Sequence, residues 1–360
     1  MVVDTSHLNC SELYQLNLTD DVKRASTYLV NPGSRAIALG IQILVLVIGV
    51  PGNVSFLVAV ARVAYMKTIT NIFLVNLAIA DILFVVYTAT SYLFYLPAPV
   101  RSHIHSMLNI WCPVAVSISF LTYFTSVSTV SLVSVERYNA ICRPLKHLAV
   151  NSKQRAVKLV FGTWCVGLAF TSLAVLQYAD STRICVTWPS GNGTEKFADL
   201  PDIIGFCLPL APWALVVGNL ASSIPFMIAL LGNAFMYVQI IRTLANRSVA
   251  KTSGRETMVR RARQVRNQVT RMLVINGTVF FIFQFPFACI NFVFVAGYLG
   301  GLDFLEVNEL QSSLRVFSHG FLFLNSAINP IIYYAMCPSY RAAALKAFRS
   351  PKNSHQTEDY

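Results

Sequence analysis

Charge is what this chain has least of. Only 12% of its 360 residues are Asp, Glu, Lys or Arg, about half the share of an ordinary soluble domain, while 55% are hydrophobic. So little charge excludes a water-facing surface over most of the chain and points to a membrane as solvent. The short alternating segments of a membrane β-barrel are missing, as are the broad polar faces of a soluble helical fold. Six His and eight Cys are present, yet no His, Cys and acid cluster has catalytic or metal-ligating spacing, which excludes an enzyme. Inverted repeats with broken helices, expected of a transporter, and a repeated pore-lining motif, expected of a channel, are also absent. The first 33 or so residues are polar and lack the apolar core of a cleaved signal peptide, so the first span is expected to act as its own insertion signal.

What is present is long apolar runs. Windows of eighteen or more residues predict seven spans, about 36–61, 70–96, 110–135, 156–178, 206–241, 269–298 and 312–335. The expected fold is all-α: a seven-transmembrane helix bundle over 36–335, an extracellular N-terminus over 1–35, and a cytoplasmic amphipathic helix and tail over 336–360. The last helix is read from Pro338 followed by good helix formers, with Leu345 and Phe348 three apart.

The scarce charges are sorted by side. With the N-terminus outside, the inner face and helix ends carry 21 Lys or Arg against four acids, and the outer face seven against eleven. Basic residues favour the cytoplasmic side, so the chain is a multi-pass plasma-membrane protein with an extracellular N-terminus. The basic surplus is the inner collar of a bundle, and no nucleic-acid partner is expected. Eight arginines or lysines between 242 and 266, interspersed with Ser and Thr, add a cytoplasmic docking surface open to phosphorylation.

Sequons at Asn9, Asn17 and Asn192 fall on the outer side and are expected to be glycosylated. Cys112 stands at the outer start of the third span, and the loop after the fourth supplies Cys185, so a Cys112–Cys185 disulfide is expected; Cys142, Cys165, Cys207, Cys289 and Cys337 are read as free, and Cys10 as free or paired elsewhere. Arg137 follows Cys112 by 25 positions, about 37 Å of helix and enough to cross a hydrocarbon core of about 30 Å. Pro225, Pro286 and Pro330 interrupt spans five, six and seven as kinks and hinges. Asp81 sits within the second span, where a carboxylate is either a functional site or a buried hydrogen-bond hub.

Taken in order, Gly52-Asn53, Asn76-Leu77-Ala78 with Asp81, Cys112, Glu136-Arg137-Tyr138, Trp164, Pro225, Phe280 with Pro286, and Asn329-Pro330-Ile331-Ile332-Tyr333 resemble the rhodopsin-type, class A G-protein-coupled receptors across all seven spans. The resemblance implies that Arg137 is held by Glu136 and then meets the G protein, that Tyr333 swings inward on activation, and that Leu145 enters a hydrophobic pocket of the G protein. It implies an internal sodium site at Asp81, Ser126, Asn325, Ser326 and Asn329, and a packing relay at Pro225, Val127 and Phe280. Receptor kinase and arrestin are implied as further partners.

The chain also departs from the family. Gln284 replaces the usual tryptophan toggle, Asn233 replaces an inward tyrosine with Tyr237 one turn on, and Arg266 stands where some members carry a glutamate that restrains Arg137. Ser119 stands where amine receptors carry aspartate and Phe323 where opsins carry lysine, which disfavours an amine and excludes a Schiff base. The expected pocket wall is Ser119, Phe120, Tyr123, Phe287, Asn291, Phe294, Arg315 and His319. Arg315 is read as a ligand contact or a rim ion pair, and His319 as a ligand contact or a core histidine. Outer acids, including Glu195, Asp199 and Asp202, would steer a basic peptide. The Asn76–Asp81 run and Cys142-Arg143-Pro144-Leu145 resemble neuropeptide receptors most. A lipid or metabolite receptor, or a constitutively active orphan, stands as the alternative.

Overall fold

The structure is a computed structural model of the whole chain, and it describes residues 10, 13–95, 99–100, 111–249, 257–301 and 309–349. Apolar runs become long helices because a bilayer leaves no other partner for backbone N–H and C=O groups. Seven follow in order: α1 (Pro32–Arg62), α2 (Ile69–Tyr95), α3 (Trp111–Cys142), α4 (Lys153–Ala174), α5 (Pro212–Val249), α6 (Thr257–Leu299) and α7 (Glu309–Met336). The first six are each long and apolar enough to cross a membrane; the seventh segment, Phe317–Met336, passes the same test together with α8 (Pro338–Phe348), from which it is bent by 102°. That bend turns α8 away from the bundle axis, with Leu345 and Phe348 exposed and Tyr340, Ala343 and Ala347 buried.

α3 packs against α2, α4, α5 and α6, while α1 closes the ring against α2 and α7. The α1–α7 seam is close because Gly49 faces Ala327, where a Cβ would come within 3.2 Å of the alanine methyl. Asn53 fixes the same seam, donating from Nδ2 to the Gly49 carbonyl at 2.9 Å and the Ser326 carbonyl at 3.0 Å.

The outer face carries a small sheet that hydropathy does not reveal. β1 (Tyr14–Asn17) pairs in parallel with β2 (Asp180–Thr187), which pairs antiparallel with β3 (Ile203–Leu208). Leu18, Ala25, Val100, Val186, Trp188, Phe197 and Ile204 bury themselves as a separate core under this sheet. The Trp188 and Phe197 rings stack at 6.2 Å, and Trp188 Nε1 donates to the Pro201 carbonyl at 3.1 Å.

This sheet corrects two expectations. The fifth membrane helix begins at Pro212 rather than near residue 206, since Ile203–Leu208 is a strand. The expected Cys112–Cys185 bridge is replaced by two disulfides, Cys10–Cys185 and Cys112–Cys207. The two errors share one cause: a short buried strand and the start of a helix look alike in hydropathy. Reading Ile203–Leu208 into the membrane hid Cys207 and left Cys185 as the visible partner. In the hairpin, Cys207 lies opposite Ser181 and Cys185 opposite Ile203, so each strand sends its cysteine to a different element.

Candidate functional site

The outer half of the bundle holds the residues expected to line a pocket. Tyr123 of α3, Phe287 of α6 and His319 of α7 form a chain of edge-on rings, 5.6 Å from Tyr123 to Phe287 and 5.7 Å from Phe287 to His319. Tyr123 also donates its hydroxyl to the Ser222 carbonyl of α5 at 3.2 Å. Ser119 lies one turn above Tyr123 and is half-buried, while Asn291 and Phe294 are buried on α6. Phe120 is turned instead toward Phe124 and Tyr178, next to the end of α4. Asn291 Nδ2 and Gln284 Oε1 are buried with no hydrogen-bond partner among the described residues. The Arg315 side chain and Asn9 lie outside the described residues. Asn17 and Asn192 are both exposed; Asn17 Oδ1 accepts from the Thr19 hydroxyl at 2.8 Å within a local turn.

Nearer mid-membrane, Phe280 packs edge-on against Phe281 at 5.4 Å, and Phe281 against Phe226 at 5.6 Å, in one cluster with Val127. Pro225 and Pro286 lie inside α5 and α6 beside these rings.

At mid-membrane Asp81 is 1% exposed, and its Oδ2 accepts from Asn329 Nδ2 at 2.7 Å. Ser126, Asn325 and Ser326 are buried too, and the Asn325 and Asn329 side-chain oxygens have no hydrogen-bond partner among the described residues. One carboxylate and unpartnered carbonyl oxygens, all hard donors, form a set suited to a hard cation. Beside it, Asn76 ties three helices together: its Nδ2 donates to Thr129 Oγ1 at 2.7 Å and Thr163 Oγ1 at 3.3 Å, and its Oδ1 accepts from Trp164 Nε1 at 2.8 Å.

At the inner end Arg137 is held shut. Its Nε and Nη2 donate to the two Glu136 oxygens at 2.5 and 2.9 Å, and Nη2 also donates to Thr70 Oγ1. Tyr333 is 1% exposed, packed 5.4 Å from the Phe56 ring and 6.0 Å from Tyr340. Tyr340 of α8 donates to Asn71 Oδ1 at 2.6 Å, so α8 is bonded to α2. Tyr138 faces Phe235 of α5 and carries the Arg143 guanidinium 5.4 Å over its ring. Leu145, on a short helix (Pro144–Val150), is 83% exposed. The arrangement is a closed cytoplasmic face with the exposed apolar side chains of Leu145 and Leu148 beside it.

Sequence reasoning left the pairing of Cys10 open, read Cys207 as free, and missed Thr70, Asn71 and Tyr340. No signal singles out the last three, because a hydroxyl or amide at a helix end is common; only the packing of α2, α3 and α8 brings them together.

Residues 52–333 match the 7 transmembrane receptor (rhodopsin family). The chain is 28% identical over 84% of its length to the somatostatin receptor type 4 of Rattus norvegicus, covering 70% of that protein. It is 24% identical over 85% of its length to galanin receptor 2a of Danio rerio, covering 76% of it, and 26% identical over 83% of its length to the growth hormone secretagogue receptor type 1 of Homo sapiens, covering 77% of it. The bundle, the closed Arg137 face and a match across all seven spans converge: the chain belongs to the rhodopsin family of seven-transmembrane receptors, G-protein-coupled and related to the neuropeptide receptors.

Proposed function

We propose that this receptor is activated by a short extracellular peptide and then promotes nucleotide exchange on a heterotrimeric G protein. One observation carries the reading: α3 runs unbroken from Cys112, bonded to the outer sheet, to Arg137, bonded to Glu136 and Thr70. A ligand that presses on the lid and on Tyr123 therefore acts on the same helix that holds the cytoplasmic lock. The ring chain of Tyr123, Phe287 and His319 offers an apolar wall, and the unpartnered Gln284 Oε1 and Asn291 Nδ2 offer an acceptor and a donor that a peptide backbone can complete. The relatives include somatostatin and galanin receptors, which supports a peptide. Outer acids at Glu195, Asp199 and Asp202 are exposed and favour the approach of a basic one.

Arg137 then leaves Glu136 for the G protein, and Leu145 inserts its exposed side chain into an apolar pocket of that partner. Asp81, Ser126, Asn325, Ser326 and Asn329 would hold a sodium ion that favours the closed state, since an ion bound to one of two states shifts the equilibrium toward it. The Ser- and Thr-bearing basic segment between α5 and α6 would serve receptor kinase and arrestin; its residues 250–256 lie outside the described residues.

The test is purified receptor in liposomes with heterotrimeric G proteins, screened against amidated and non-amidated peptides for guanine-nucleotide exchange. Exchange that depends on a peptide is expected. Solute flux without exchange under any ligand would replace the receptor reading with a transport one.

A further inference from the structure

We infer that the resting state of α6 is held by an uncharged clamp, the Tyr237 phenol of α5 seated in a notch left by Gly277 of α6 and bonded to Ser134 of α3. The inference rests on the receptor reading for its consequence, but on packing alone for its geometry.

Arg137 cannot tie α6 down by charge. Neither α5 nor α6 contains a single Asp or Glu, and the carboxylate on Arg137 is that of its neighbour Glu136 on the same helix. Uncharged contacts pack the inner half of α6 against α3 and α5. One of them is at Gly277. A Cβ there would fall on the Tyr237 hydroxyl, 2.7 Å from its Cζ and 3.3 Å from its Cε2. The notch is occupied by the far end of a rigid ring, so an added methyl must expel the whole phenol. The hydroxyl in the notch is hydrogen-bonded to Ser134 Oγ at 2.8 Å, which places one group on three helices.

The surroundings of the contact are apolar and closely packed. Tyr237 is buried with Ile141, Ile240, Leu244 and Val274, an apolar nest that gives the hydroxyl no polar neighbour beyond Ser134 among the bonds described. A small cavity bordered by Leu74, Leu77, Val130, Leu273 and Asn276 opens directly beside Tyr237 and Gly277. Asn233, one turn above, is spent elsewhere: it donates to Ser131 Oγ at 3.0 Å and to the Ala229 carbonyl at 2.7 Å. Tyr237 thus places a polar group of α5 against α6 and α3 together.

The test is a double-mutant cycle. Gly277→Ala should raise ligand-free nucleotide exchange about three- to tenfold, the range of one buried hydrogen bond and its seat. Tyr237→Ala should raise it similarly, and Gly277→Ala should add nothing in that background, because the methyl then has no ring to expel. Tyr237→Phe, which keeps the ring and removes the hydroxyl, should give the smaller part of the rise. Hydrogen exchange of amides 266–280 is read in parallel as a measure of α6 that needs no G protein, and surface labelling reports folding. Faster amide exchange in Gly277→Ala without nucleotide exchange supports the clamp and sinks the receptor reading. A folded Gly277→Ala with neither change, or one whose effect persists undiminished in Tyr237→Ala, overturns the clamp.

Discussion

Cutting the Cys10–Cys185 disulfide tests the outer lid directly. In Cys10→Ser the N-terminal segment keeps β1, the Leu18 side chain at 1% exposure and the buried Ala25, but loses its covalent tie to β2. The membrane helices stay folded, so the loop that the bond closes is the free chain between Cys10 and the start of α1 at Pro32, roughly 20 residues, for which the chain-entropy relation gives about 3 kcal/mol. Burying Leu18 contributes about 1.5–3 kcal/mol, so the bond and the side chain hold the segment with similar strength. The variant should therefore remain docked but open about a hundredfold more often. The assay is hydrogen exchange at the Leu18 amide, which donates to the Thr187 carbonyl at 3.0 Å, and along Tyr14–Asn17. Protection there should fall by about two decades, while that of β2, β3 and α3 holds, since Cys112–Cys207 ties them independently. Peptide mapping without reduction should find both bridges. A Cys112–Cys185 fragment, or unchanged protection in Cys10→Ser, would refute the lid as drawn.

Three further outcomes are expected. Arg137→Ala should abolish nucleotide exchange while surface labelling stays at the wild-type level; full exchange by this variant would remove its assigned role. Sodium chloride should raise the melting temperature of the purified receptor above that in choline chloride, and Asp81→Asn should erase the difference; an equal sodium effect in both proteins would exclude the cation site. Trp164→Phe leaves the buried Asn76 Oδ1 without its 2.8 Å donor, which costs about 1–3 kcal/mol. Its thermal unfolding should begin lower, and an unchanged midpoint would mean that water replaces the indole.

Much of the site could be read before folding because its residues are chemically out of place where they stand. A carboxylate in an apolar run, as at Asp81, or an acid-arginine-tyrosine triplet at the end of one, as at Glu136 to Tyr138, stands out against the membrane. Thr70, Asn71 and Tyr340 stand out against nothing, and they acquire meaning only when Arg137 donates to Thr70 and Tyr340 to Asn71. Phe120 shows a different limit: its ring direction, toward Phe124 and Tyr178, is set by side-chain packing that position along a helix does not encode.

By itself the sequence determined the number of spans, the direction in which they cross, and the locations of the buried charge and of the inner lock. Each of these follows from one-dimensional quantities, namely run length against bilayer thickness and basic residues against side. The tertiary structure decided which cysteines pair, what Gly277 is for, and that a sheet roofs the bundle. Those depend on distances between residues far apart in the chain: Cys10 and Cys185 are separated by 175 positions, and Cys112 and Cys207 by 95. A disulfide forms only where two Cα atoms come within about 7 Å, and only the folded hairpin determines which two those are.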